Sequence, residues 1–173
     1  MILSVVTYPD RRLKVVSKAV EKFDEKLHFL LDNMYETMMA SNGIGLAAIQ
    51  VDRPIQVLIL NLPNEEENQD KSDLLEIINP KMTESNGTVF YQEGCLSVPG
   101  FYEDIERLET ITIRYQDRYG MTHNMSAEAL LSIAIQHEME HLQGKLFIEN
   151  LSYSRRKKFE KEYKKTMKEK KKR

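Results

Sequence analysis

Residues 126–144 read SAEALLSIAIQHEMEHLQG, and this stretch decides both the fold class and the chemistry. Leu130, Leu131, Ile133, Ala134 and Ile135 lead into His137-Glu138-Met139-Glu140-His141, with Ser126 placed to cap a helix and Gly144 placed to end it. Two imidazoles four residues apart on a helix project from one face and can chelate a single metal ion. Leu130, Ile133 and Ala134 share that face, so the histidines belong to the buried side. Glu138 sits about 100° round from His137, within reach of a metal-bound water.

A catalytic ion needs a third protein ligand and one open position. Metzincin peptidases place a third His six residues after the second, but that position here is Phe147, and no His follows His141. Thermolysin-like peptidases use a downstream Glu, and the choices are Glu149 and three glutamates in a lysine-rich tail. Neither pattern is met. Upstream, the sole cysteine lies in Glu93-Gly94-Cys95-Leu96-Ser97-Val98-Pro99-Gly100, where Gly94 and Pro99 impose an irregular backbone. A Cys95 thiolate with two imidazoles makes a tetrahedral site with one vacancy, suited to zinc or another late first-row divalent ion.

A third segment, Gly43-Ile44-Gly45-Leu46-Ala47-Ala48-Ile49-Gln50, lacks the Lys and Ser/Thr of a phosphate-binding loop. Taken alone it reads as a helix C-cap followed by a tight turn. Small residues there also let a peptide approach the backbone, and Gln50 can present an amide N–H to a developing oxyanion.

The surrounding chain reads as one α+β domain. Leu27, Leu30, Leu31, Met34 and Met38 recur at helical spacing between Asp24 and Ser41, and His28 on that helix has no second ligand type beside it. Strands are expected at residues 55–60, 75–79, 86–92, 102–107 and 109–116, and residues 61–73 form an acidic, solvated loop. A last helix starts near Ser152, with Phe159, Tyr163 and Met167 as its only apolar stripe. The expected architecture is mixed or antiparallel β-strands around a central His-Glu-x-x-His helix, with a C-terminal helix.

Charge and composition narrow the function. The net charge of −2 conceals twelve Lys/Arg against three Glu in residues 155–173, a local charge of +9, so residues 1–154 carry −11. The acidic body is a poor nucleic-acid surface, and only the tail suits a polyanion. One cysteine forms no internal disulfide, and no apolar run approaches the roughly 18 residues that cross a bilayer. With no signal or transit segment read at the start, a reducing cytoplasm is expected.

In these three segments, in this order, the chain resembles the peptide deformylase family, and Tyr8-Pro9-Asp10 with Leu13 looks familial too. The resemblance implies a catalytic domain over residues 1–150 and a basic C-terminal helix over residues 151–173. It implies a metal-dependent hydrolase that removes the N-formyl group from the N-terminal methionine of newly synthesised proteins. Cys95, His137 and His141 would hold one divalent ion, Fe(II) physiologically, with Zn, Ni or Co as substitutes. Glu138 would take a proton from the metal-bound water and pass it to the leaving amine. Gln50 and the Leu96 backbone N–H would stabilise the oxyanion. Ile44 and Gly45 would line the peptide cleft, and Ile44, Tyr91, Leu130, Ile133 and His137 much of the methionine pocket. Glu140 stands where most members have Asp, with Arg107 the expected partner. Residues 152–173 would dock on the ribosome. The readings left beside this one are a His-Glu-x-x-His metallopeptidase and a ribosome-binding module with a structural metal.

Overall fold

A computed structural model describes residues 1–173. Helix α1 (Glu25–Ala40) opens on Asp24, whose side chain accepts from the Leu27 N–H, and buries Leu27, Leu31, Met34 and Met38. Its end is closed by the Gly43 N–H donating to the Met38 carbonyl at 2.9 Å. The left-handed position of this cap falls on Asn42 (φ 56°), not on a glycine. His28 Nε2 donates to the Arg118 carbonyl at 2.8 Å, a packing role as expected.

Five antiparallel strands follow in sequential order across one sheet: β1 (Gly45–Ala47), β2 (Val57–Leu60), β3 (Leu75–Cys95), β4 (Val98–Gln116) and β5 (Thr122–Glu128). Three sequence expectations need correction. The glycine segment is not only cap and turn, because residues 45–47 pair with β2 as an edge strand before a 3-10 turn at Ala48–Val51. The four short strands expected between residues 75 and 116 are two long ones. Asn79-Pro80 reads as a break, yet the register skips from Ile78 to Lys81, so proline's missing N–H falls in a bulge. The Asn79 side chain bridges the bulge, accepting from the Val20 N–H and donating to the Val20 carbonyl and Gln116. Ser126 caps nothing: it lies in β5 opposite Thr112, its neighbour Ala127 faces the core, and the strand hands over directly to helix α2 (Ala129–Leu142).

Helix α2 lies against the sheet, and Ala134, Ile135 and Leu142 join Ala47, Leu58, Leu60, Ile77, Ile111 and Ile113 in one core. A second core gathers Val6, Leu13, Val98, Ile105, Leu146 and Phe147 beneath helix α3 (Tyr153–Lys171), which contributes Phe159 and Tyr163. Helix α3 starts where the sequence places it, with Ser152 as its cap, accepting from the Arg155 N–H. Phe159 stacks at tilted and edge-on angles on Tyr8 and Phe101, centroids 5.4 and 5.0 Å away, and the Tyr163 hydroxyl donates to the Tyr8 carbonyl. The basic helix is thus packed on the body along one apolar stripe while its lysines face outward. The acidic residues 61–73 are largely exposed, tied down where the Gln69 amide donates to the carbonyls of Gly43 (2.9 Å) and Asn61 (2.7 Å). No helix is long and apolar enough to cross a membrane.

Because Phe159 is buried between two aromatic rings, Phe159→Ala is expected to cost about 3 kcal/mol of folding free energy. Tyr153→Ala, at an exposed position of the same helix, should stay within about 0.5 kcal/mol of the parent. Urea unfolding midpoints of the two variants check this.

Candidate active site

Helix α2 presents His137, Glu138 and His141 to the interior, all at most 9% exposed. The end of β3 brings Cys95 against them. Cys95 Sγ lies 3.4 Å from His141 Nε2, and the two Nε2 atoms lie 3.3 Å apart. A tetrahedral ion with M–N near 2.0–2.1 Å and M–S near 2.3 Å holds its nitrogens about 3.3 Å apart and an N–S pair about 3.5 Å apart. All three donor atoms lie within 4.8 Å of one another, so the donor set fits one metal ion of this kind. Burial opposes charge on both imidazoles, yet contacts with Cys95 and Glu93 hold His137 well above its ordinary pKa. Burial, with the positive charges of His137 and Arg107, pushes His141 well below. Of the two imidazoles, His137 is therefore the one favoured in its charged form.

A buried acid and guanidinium stand behind the ligands. His137 Nδ1 donates to Glu93 at 2.8 Å, which leaves Nε2 as the donor toward Cys95 and His141. Glu93 also accepts two bonds from Arg107, 2.6 Å from Nε and 2.8 Å from the second nitrogen, and both side chains are about 5% exposed. Burial resists ionisation of Glu93, but Arg107 and His137 hold its pKa below the ordinary carboxylate value. Arg107 pairs with Glu140 as expected, and Glu140 in turn accepts from Asn150 at 3.0 Å. Phe147, at the position of the metzincin ligand, instead lays its ring beside His137 with centroids 6.0 Å apart.

Two atoms of the site are buried without a hydrogen-bond partner, His141 Nδ1 and the carboxylate Oε2 of Glu138. Burial pushes the Glu138 carboxyl up to about 7, against the pull of His137 and Arg107. Gly45 makes room for it: a Cβ there would meet Glu138 Oε1 at 2.8 Å and Leu60 Cδ2 at 2.7 Å. Gln50 is 1% exposed, its Oε1 accepting from the Ala47 N–H at 2.9 Å and its Nε2 lying 3.6 Å from Cys95 Sγ. The Leu96 N–H donates to no carbonyl of the chain.

One cleft of about 530 Å³ collects Ile44, Gly45, Gln50, Tyr91, Cys95, Leu96, Leu130, Ile133, His137 and Glu138. The sequence-predicted residues from three distant segments thus share a single cavity, with His141 fully buried behind it. Sequence reasoning missed Glu93 as the His137 acceptor and Ser97 as the partner of Gln50. Both flank Cys95 in the quoted motif, but an acid and a hydroxyl in a strand and turn carry no spacing signal of their own.

The sequence model of the polypeptide deformylase family matches residues 2–157. The chain belongs to that family. It is 54% identical over 170 residues to a peptide deformylase of Helicobacter pylori strain J99, covering 98% of each chain. Against a peptide deformylase of Nautilia profundicola it is 52% identical over 171 residues, covering 99% of this chain and 98% of the other. The crystal structure of a peptide deformylase from Legionella pneumophila superposes with a TM-score of 0.90 at 34% identity, covering 100% of this chain and 99% of that one.

Glu93→Gln removes the negative charge facing both His137 and Arg107, so metal affinity should fall by about 10- to 100-fold. Competition against a chromophoric chelator measures it, with parent-like circular dichroism as the control for folding.

Proposed function

We propose that the chain deformylates at the Cys95/His137/His141 centre, with Glu138 carrying the proton and Gln50 and the Leu96 N–H receiving the oxyanion. The reaction itself comes with the family: the N-formyl group is removed from the N-terminal formylmethionine of newly synthesised proteins, releasing formate. The observation that carries the residue roles is the buried, unpartnered Glu138 carboxylate oxygen beside three metal-type donors in a peptide-sized cleft.

An ion held by this thiolate and two imidazoles supplies Lewis acidity, bringing water toward a pKa of about 7 and polarising the formyl oxygen. We take Fe(II) as the physiological ion, with Zn, Ni or Co as substitutes, from the family resemblance; the donor set itself accepts late first-row ions in general. Glu138 removes a proton from the attacking water and returns it to the departing amine as the C–N bond breaks. The products are formate and a free N-terminus. Gln50 and Leu96 both line the cleft, and in this reading one Gln50 N–H and the Leu96 N–H receive the negative charge that builds on the formyl oxygen. Ile44, Tyr91, Leu130 and Ile133 offer apolar surface to the methionine side chain, and the backbone of Ile44 and Gly45 lies along the cleft for the peptide. Residues 1–150 carry this chemistry in our reading, and residues 151–173 serve attachment. A cytoplasmic setting keeps Cys95 reduced.

Protein purified without oxygen should release formate from a formyl-Met tripeptide. Glu138→Ala should lower kcat by at least about 10²-fold with metal content unchanged. Undiminished turnover in that variant would remove Glu138 from the role.

The outward lysines of α3 fit ribosomal RNA phosphates, which would station the enzyme near emerging chains. Reversing Lys161, Lys164 and Lys168, all exposed, to Glu should weaken ribosome co-sedimentation and flatten its salt dependence while tripeptide hydrolysis stays at the parent rate.

A further inference from the structure

We propose that Ser97 is a positioning residue for deformylation, fixing which end of the Gln50 amide faces the active site; this rests on the reading of Gln50 as an oxyanion donor. The two ends of a glutamine amide are nearly alike in shape, so its neighbours must choose between them. Ser97 is fully buried and makes the choice by a commitment of its own. Its hydroxyl proton is given to the Val6 carbonyl at 2.7 Å, so toward Gln50 it has only a lone pair. Gln50 Nε2 fills that lone pair at 3.0 Å, its Oε1 accepts from the Ala47 N–H, and the remaining N–H turns toward Cys95 Sγ. A flipped amide would set Oε1 against the Ser97 lone pair and the sulfur, and would lose the Ala47 bond.

The main chains of the two residues are tied together as well. The Val6 N–H donates to the Gln50 carbonyl and the Tyr8 N–H to the Ser97 carbonyl, both at 2.7 Å. The segment from Val6 to Tyr8 is therefore a clip across the two elements that carry the oxyanion donors. Ser97 does not line the cleft, so it acts through Gln50 and not on the peptide.

The test is a double-mutant cycle on metal-loaded protein with a formyl-Met tripeptide. Gln50→Ala should lower kcat by about 10²-fold, the scale of one oxyanion donor. Ser97→Ala should lower kcat by about tenfold or more with KM within about twofold, and the hydroxyl-retaining Ser97→Thr should recover part of the loss. Adding Ser97→Ala to Gln50→Ala should change kcat no further. Equal losses in both backgrounds, or parent kcat in Ser97→Ala, would overturn the proposal. A Gln50→Ala variant with parent kcat would instead sink the oxyanion reading beneath it. Should Ser97→Ala fail to fold, NMR of the zinc-loaded parent decides. Gln50 side-chain amide protons that exchange with solvent far more slowly than those of an exposed glutamine support a held amide, and exchange at the exposed-glutamine rate refutes it.

Discussion

The ion pair between Arg107 and Glu93 is the constraint on which the site depends. Two imidazoles, a cysteine sulfur and a carboxylate are gathered at the buried floor of the cleft, where an isolated charge costs several kcal/mol. Glu93 makes that tolerable by accepting from His137 on one side and from the fork of Arg107 on the other. The pairing also fixes the imidazole tautomer, because His137 Nδ1 is occupied and Nε2 is the nitrogen left for a ligand bond. Arg107 reaches on to Glu140, and Glu140 to Asn150. The ligand helix is thereby held at its exposed face as well as its buried one.

The scaffold explains how one helix and one strand end can be set with such accuracy. β3 and β4 form a long hairpin whose tight connection, Leu96-Ser97, lies immediately beside Cys95. Cys95 and Leu96, the proposed third ligand and oxyanion donor, are therefore adjacent residues at a tight turn, and the sheet presents that turn to helix α2. The glycine segment enters from the sheet's edge, where β1 is paired on one side only. An edge strand beside the Cys95/His137/His141 cluster leaves backbone groups open to pairing with an extended peptide.

The chemistry was more legible in the sequence than the strands. His137, Glu138 and His141 are set by helical periodicity, a local rule, and Cys95 is singled out by being alone. The glycine segment was read as a cap because a three-residue strand has too little sequence in which to show alternation. Asn79-Pro80 looks like a break in β3, and only the partner strand reveals a bulge there; Leu108 separates the two strands expected in β4, yet it stays in the ladder opposite Thr88. Ser126 looked like a cap because serine before an apolar run usually is one, but pairing with Thr112 took precedence over capping preference.

By itself, the sequence determined the donor set, the helix that bears two of its members, the charged tail and the family they imply. These depend on residue identity and on contacts a few positions apart. Tertiary structure decided what stands behind the donors: Glu93 against His137 and Arg107, Ser97 against Gln50 and Val6, and α3 seated on Tyr8 and Phe101. Those contacts join residues 14 to 155 positions apart. Their partners are chosen by strand register and packing, and an acid, a hydroxyl or an aromatic ring looks the same in sequence whether or not register brings it to the site.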